Sequence, residues 1–263
     1  MIKLMRSSLY KLFRDKTFHI ILIIGVVVSV FMPLLYLIID SQTGNIGSTC
    51  NGYNLIIQSA SPVQNFGIAI PINLITFIIG EFNYGTIRNK IIAGNKKSSI
   101  YLSLFINGLI FSFILLFAYM LISSLLATAF GGFSSEPLSK DQINALLLFL
   151  INVVLVYVTL TALSVLTATT FRHIGGSISG TVVLMTFSFV VSIIVLLSSE
   201  NTPTGLLIFN PLALSSFVSL GLMPLEQIMK IENIMLYQVL SNLFYTSIFL
   251  VLGTYLFQKR DVK

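Results

Sequence analysis

Charge is what this sequence has least of. Asp, Glu, Lys and Arg together make up 9% of 263 residues, there are two histidines and one cysteine, and tryptophan is absent. A soluble protein of this size needs far more charge to cover its surface. With apolar residues at 56%, the chain belongs instead with helical proteins that cross a membrane several times. A lone Cys50, falling in a loop outside the membrane, excludes an intrachain disulfide and leaves only a crosslink to a partner. His19 and His173 stand singly at the ends of apolar runs, so no metal site with zinc spacing is expected. The centres of the apolar runs hold no Asp, Glu, Lys, Arg or His. That argues against an ion-coupled carrier, an intramembrane protease or an acyltransferase, all of which place ionisable groups at depth. Backbone-coordinated Na⁺ survives this argument.

Six apolar stretches are long enough to cross about 30 Å of hydrocarbon at about 1.5 Å per residue. They fall at 18–39, 62–81, 99–130, 142–171, 177–198 and 235–257. Lys and Arg are retained on the cytoplasmic side of a membrane, so their distribution orients the helices. With the N-terminus inside, thirteen of the fifteen basic residues are cytoplasmic, and only Lys140 and Lys230 lie outside. Six of the nine acids accompany those two: Asp40, Glu136, Asp141, Glu200, Glu226 and Glu232. The reverse orientation requires the opposite asymmetry. The expected fold is therefore an all-α membrane protein with six transmembrane helices, N-in and C-in. A net charge of +6 would suit nucleic acid, but the bases sit in short juxtamembrane runs that suit anionic lipid, and no nucleic-acid-binding module is evident.

Residues 1–17 alternate apolar side chains with Lys3, Arg6, Lys11, Arg14 and Lys16, as in a helix lying along the interface or a plain basic anchor. Pro33 is expected to kink the first span. Residues 40–61 are rich in Ser, Thr, Asn and Gly and read as an outside connection, and Ser61-Pro62 has the form of a helix start. Asn73 lies at depth in the second span, where an amide serves as interhelical glue or as a substrate contact. Ser98 or Ser99 can cap the third span. Ser139-Lys140-Asp141-Gln142 has capping-box spacing at the start of the fourth. Thr161 and Ser164 near the end of that span, and Ser177, Thr181, Ser188 and Ser192 along one face of the fifth, either line a polar path or hydrogen-bond between helices. Gly176 and Gly180 form a small-residue pair that permits close helix contact. The segment 203–224 is apolar yet broken by Gly205, Pro211 and Gly221, so it is expected to re-enter from outside rather than cross.

Between the second and third spans lies a polar island, 82–98, that carries Arg88, Lys90, Lys96 and Lys97 and must stay out of the hydrocarbon. Within it Ile87, Ile91 and Ile92 recur at helical spacing, which predicts a short amphipathic helix closed by Gly94. Gly80 to Gly85 matches the outer glycines of a phosphate-binding loop, but Thr86 stands where Lys is needed and no strand precedes it. The chain has no nucleotide site of its own and is not expected to be an enzyme.

A basic N-terminal helix, a second span closing in Glu81, then Asn83-Tyr84-Gly85-Thr86-Ile87-Arg88-Asn89-Lys90-Ile91-Ile92-Ala93-Gly94 and Lys96-Lys97-Ser98-Ser99-Ile100-Tyr101-Leu102, resembles the ABC-2 type permeases of ABC exporters. Arg is common in that family where Lys96-Lys97-Ser98-Ser99 stands here. The resemblance covers the layout of the whole chain as a single transmembrane domain, 1–263. It implies that 83–94 form a coupling helix docked in a cleft of a separate cytoplasmic ATP-binding subunit. Glu81, Tyr84, Gly85, Thr86, Ile87, Arg88, Lys90, Ile91 and Gly94 would be its coupling residues. The isoleucines would supply burial there, Arg88 and Lys90 would pair with the partner's acids, and Glu81 would bond to the N-terminal helix or to a base in the loop. ATP and Mg would belong to the partner, with no cofactor in this chain. A second permease copy or a related chain would complete the transporter in the cell membrane. An amphipathic or hydrophobic cargo, such as a peptide, antimicrobial peptide, drug or lipid, suits the aromatic-rich, uncharged interior, with export, resistance or self-immunity as the role. A membrane scaffold or sensor subunit is the second reading, and an ion-coupled carrier the third.

Overall fold

The computed structural model of the chain describes residues 2–43, 47, 49–62, 67–135, 137–198, 210–219, 225 and 233–259. Among these the regular structure is entirely α-helical. The helices are α1 (Ile2–Arg14), α2 (Lys16–Thr43), α3 (Gly52–Ser59), α4 (Ala69–Asn83), α5 (Thr86–Ile92), α6 (Lys97–Gly131), α7 (Lys140–Phe171), α8 (Ile174–Ser198), α9 (Ala213–Ser219) and α10 (Ile234–Lys259). Five of them, α2, α6, α7, α8 and α10, are long and apolar enough to cross a membrane. Their outward faces carry large apolar side chains, among them Val27, Phe31, Leu125, Phe187 and Phe244, which suit lipid and would be costly in water.

The expected sixth span, 62–81, takes a different form. The helix there is α4, of 15 residues, about 22 Å long and short of the hydrocarbon thickness. Ser61-Pro62 does not start it. The backbone at Gly67 comes so close to Ser61 that an added Cβ would overlap the Ser61 carbonyl, and the helix begins only at Ala69. Pro71 falls in its first turn, where a missing N–H costs nothing. The preceding connection is itself partly helical: Asn51 caps α3 by accepting the Asn54 N–H at 2.8 Å. The Gly52 and Tyr53 N–H groups bond the Gly132 and Phe133 carbonyls just past α6, at 3.1 and 2.8 Å. Gly67 lies beside the Tyr157 hydroxyl, midway along α7. α3 and α4 thus follow one another along the wall made by α6 and α7.

α7 is the hub, packed by α4, α6, α8 and α10. It is buried along most of its length and opens with the Ser139–Gln142 capping box. α6 runs for 35 residues, about 52 Å, and has Lys96 at its N-cap with no side-chain cap, so neither Ser98 nor Ser99 plays that part. α2 continues through Pro33 without a break. Of the pair Gly176 and Gly180, only Gly180 faces a neighbouring helix, where an added Cβ would meet the Phe171 ring at the end of α7, while Gly176 sits against the His173 ring just before its own helix. Of the stretch 203–224, only 210–219 falls among the described residues. There it is buried throughout and includes α9, and the re-entrant path itself lies outside the described residues.

α10 meets α6 at Gly253, where an added Cβ would overlap the Tyr101 hydroxyl. This close approach needs a residue without a side chain, and it lets Tyr101 and Phe257 pack with ring centroids 6.1 Å apart.

Candidate functional site

One end of the bundle gathers α1, the end of α4, α5 and the start of α6. The polar island folds into a short helix, α5, with a left-handed glycine on each side. Gly85 (φ 65°) reverses the chain out of α4. Gly94 (φ 81°) closes α5, with its N–H on the Ile91 carbonyl at 2.9 Å and the Asn95 N–H on the Lys90 carbonyl at 3.3 Å. This pair of bonds is a Schellman closure, so Gly94 ends the helix as its position in the sequence predicts. The helix covers 86–92 rather than 83–94, because α4 extends through Asn83.

α5 turns one face inward and the other out. Ile87 is fully buried in the chain's own core, Ile91 is half-buried against that core, and Lys90 is only 8% exposed. The Lys90 Nζ donates to Glu81 Oε2 at 2.8 Å and to Ser8 Oγ at 2.8 Å, tying α5 to α4 and α1 together. Lys11 of α1 donates to the Thr86 hydroxyl at 2.9 Å and lies over the Tyr84 ring. Two sequence-based readings are thereby corrected: Ile87 and Lys90 do not present themselves to a partner. Lys90 is already paired inside the chain, with Glu81 1% exposed beneath it, and Ile87 has no free surface. What points outward is Tyr84 (79% exposed), Ile92 (73%), Arg88 and Asn89. The i, i+4 pair Arg88 and Ile92 shares one face, so the exposed isoleucine is the one the helical spacing placed last.

The hydroxyls lie elsewhere, among the long helices. Thr161 donates to the Tyr157 carbonyl at 2.7 Å and meets Ser112 of α6 at 3.1 Å. Ser164 bonds the Leu160 carbonyl within its own helix at 2.8 Å. Thr181 meets Thr167 at 2.7 Å, and Ser177 reaches the Thr167 and His173 carbonyls, which joins α8 to α7. Ser188 donates to Asn210 Oδ1 at 2.7 Å, and Ser192 contacts the Asn210 amide. Apart from that of Ser164, these bonds join one element to another, and Ser188 also lines a cavity. Asn73 is half-buried on α4.

Cys50 is fully buried, with its thiol donating to the Pro33 carbonyl at 3.3 Å, so it has no surface from which to crosslink a partner. Among the described residues no three His, Cys, Asp or Glu side chains come together. Sequence reasoning missed Ser8 and Lys11 as parts of the α5 mount. It also missed the run Gln238, Asn242 and Thr246, although polar residues four apart in an apolar helix are a readable stripe.

Protein-family models return no match to this chain, and neither do curated protein sequences.

Proposed function

We propose that this chain is the membrane-spanning permease subunit of an ATP-driven exporter of the ABC-2 type. It moves an amphipathic or hydrophobic substrate outward while a separate subunit binds ATP and Mg and hydrolyses the nucleotide. The observation that carries this reading is the mount of α5. A seven-residue helix with both ends closed by left-handed glycines and its inner face locked by Lys90 cannot flex independently of α1 and α4. Its outer face offers an aromatic, an isoleucine and an arginine, the residue types that anchor protein interfaces. Movement of a partner gripping that face passes directly into α4 and α6. In this reading α3 and α4 serve as a broken second crossing, with Ala60 and Ser61 beside the break buried in protein, as irregular backbone at membrane depth requires. The α1–α5 end is cytoplasmic, and a second permease copy or a related chain completes the path in the cell membrane.

Tyr84→Ala and Ile92→Ala, made together, should reduce co-purification of the ATPase by about a hundredfold, since two interface anchors are worth roughly 2–3 kcal/mol or more. Arg88→Glu should weaken docking further against an acidic cleft. None of the three should lower thermal stability, because all point away from the core, whereas Ile87→Ala should cost about 2–5 kcal/mol of stability. Full ATPase recovery with undiminished substrate-stimulated hydrolysis in the Tyr84→Ala, Ile92→Ala variant would favour the scaffold reading.

Orientation has its own test. In a Cys50→Ala background, cysteines placed at Arg88 and Lys96 should react with an impermeant maleimide only from the cytoplasm, and one at Ser135 only from outside. A reversed pattern would overturn the topology and with it the docking scheme.

A further inference from the structure

α1 has two faces, and contacts within the chain account for only one of them. Among its side chains from Arg6 to Arg14, Ser8 and Leu12 alone are buried. That inner face holds the α5 mount, with Lys90 donating to the Ser8 hydroxyl and Lys11 donating to the Thr86 hydroxyl. The outer face carries Arg6, Tyr10, Phe13 and Arg14, which share one side of the helix and are all exposed, Tyr10 at 64% and Phe13 at 50%. A helix of 13 residues is marginal in water, and one buried leucine with two side-chain hydrogen bonds is little to hold it. The outer face calls for support from outside the chain.

The chemistry of that face names the support. Over residues 1–39 the five bases Lys3, Arg6, Lys11, Arg14 and Lys16 stand against the single acid Asp15, whose Oδ1 already accepts the Thr17 N–H at 2.9 Å. Arg14 lies over the Tyr10 ring at 5.3 Å and donates one N–H to its hydroxyl at 2.9 Å. A guanidinium has five N–H groups, so others remain for a phosphate. Aromatic rings interleaved with arginine match the headgroup layer, where rings sit at the boundary and cations meet phosphates. The Phe13 ring meets Phe18 of α2 edge-on at 5.8 Å, and α2 then presents Ile20, Ile23 and Ile24, each half exposed or more. The face thus stands at the head of a lipid-facing belt. An acidic protein surface would match the charge but not this position.

We propose that the outer face of α1 binds the anionic headgroups of the cytoplasmic leaflet, and that this contact sets how firmly α5 is held. Each base near such a surface is drawn to it, so the leaflet and the mount grip opposite sides of one helix. Against a leaflet without net charge α1 lifts away more often, the Ser8 and Lys11 bonds open with it, and α5 loses part of its fixing. Lipid charge thereby regulates coupling at the docking face. That consequence rests on the exporter reading, whereas the lipid contact and its effect on α5 are properties of this chain alone.

The test uses the full chain, without the ATPase, in nanodiscs of phosphatidylcholine alone or with about one third phosphatidylglycerol. Because the chain lacks tryptophan, Phe13→Trp places a single reporter where an interfacial ring is suited. In the anionic discs its emission should shift to the blue and its quenching by aqueous acrylamide should fall severalfold, and about 1 M salt should reverse both. Hydrogen exchange in α5 should slow about tenfold in the anionic discs, in the chain with native Phe13 as well. Arg6→Gln with Arg14→Gln should abolish both lipid effects. Ser8→Ala with Thr86→Val, which cuts the bonds from α1 to α5 and keeps every base, should leave the tryptophan response intact and erase the exchange response. A tryptophan equally quenched in both discs would overturn the lipid contact, and shielding that came only on adding the ATPase would assign the face to that subunit. A tryptophan response with no change in α5 exchange would overturn the control of the mount. None of these outcomes touches the docking of α5, which is read out by ATPase recovery.

Discussion

Replacing Lys90 by methionine should lower stability by about 3–5 kcal/mol, although methionine fills much the same space. The reason is what remains behind. Glu81 is 1% exposed and its Oε2 takes its hydrogen bond from Lys90 at 2.8 Å, while its Oε1 has no hydrogen-bond partner among the described residues. Removing the cation strands a carboxylate in a site closed to water. Ser8 loses its partner at the same time, so α1 loosens from α5. Replacing both residues, as Glu81→Met with Lys90→Met, should recover most of the loss, because exchanging a whole buried pair for apolar side chains is often neutral or better. Thermal unfolding of the wild type and these two variants in nanodiscs checks this. A Lys90→Met protein that melts with the wild type would mean that the pair does not lock the mount. The double variant also separates stability from docking: its α5 is held by packing alone, while Tyr84, Arg88 and Ile92 are untouched.

That ion pair marks how far the sequence could be read. Glu81 and Lys90 are nine residues apart on different helices, and nothing in their spacing says that they meet. They meet because Gly85 reverses the chain between them, and of the two left-handed glycines only Gly94, closing the helix, was legible. The isoleucine triplet was legible as helical but ambiguous in direction. Ile87, Ile91 and Ile92 span more than one face, and tertiary packing chose Ile87 for the chain's own core and left Ile92 outside. A basic residue on a short exposed helix is ordinarily solvated, so burial of Lys90 could be known only from the carboxylate beneath it.

The long helices were legible for a simpler reason. Runs such as 99–130 and 142–171 are uniformly apolar for more residues than the hydrocarbon requires, and the observed ends differ by two residues or fewer. The second crossing was read as one helix over 62–81, whereas α4 covers only 69–83, because composition cannot show a close backbone approach. The residues from 62 to 81 are as apolar as a span, and only the contact of Gly67 with the Ser61 carbonyl reveals the break. The meeting of Thr159 on α7 with Asn242 and Thr246 on α10, more than eighty residues away, was hidden likewise.

At the opposite end of the bundle, Asp40→Ala should be the other large loss. A carboxylate in the last turn of α2 opposes the helix dipole, so its presence there calls for compensation. Asp40 is 1% exposed and accepts the N–H groups of Gly47 at 3.0 Å, Thr49 at 3.1 Å and Cys50 at 2.9 Å, together with the Thr49 hydroxyl. Each hydrogen bond to a charged group is worth about 1.5–3 kcal/mol, and the loop can relax after their loss, so the expected cost is about 3–5 kcal/mol rather than their sum. Cys50 reports the event. Burial first, and then the nearby Asp40 charge, push its thiol above the ordinary cysteine range. The folded protein therefore holds the thiol proton more tightly than the unfolded chain does, and at neutral pH little thiolate forms. An impermeant maleimide should leave wild-type Cys50 unmodified until the protein is denatured. Asp40→Ala removes the charge and frees the loop together, so labelling should accelerate by at least about tenfold. Asp40→Asn, which keeps one oxygen acceptor but not the charge, should fall between the two. Equal labelling of folded and denatured wild-type protein would show that Asp40 does not close this loop over the thiol.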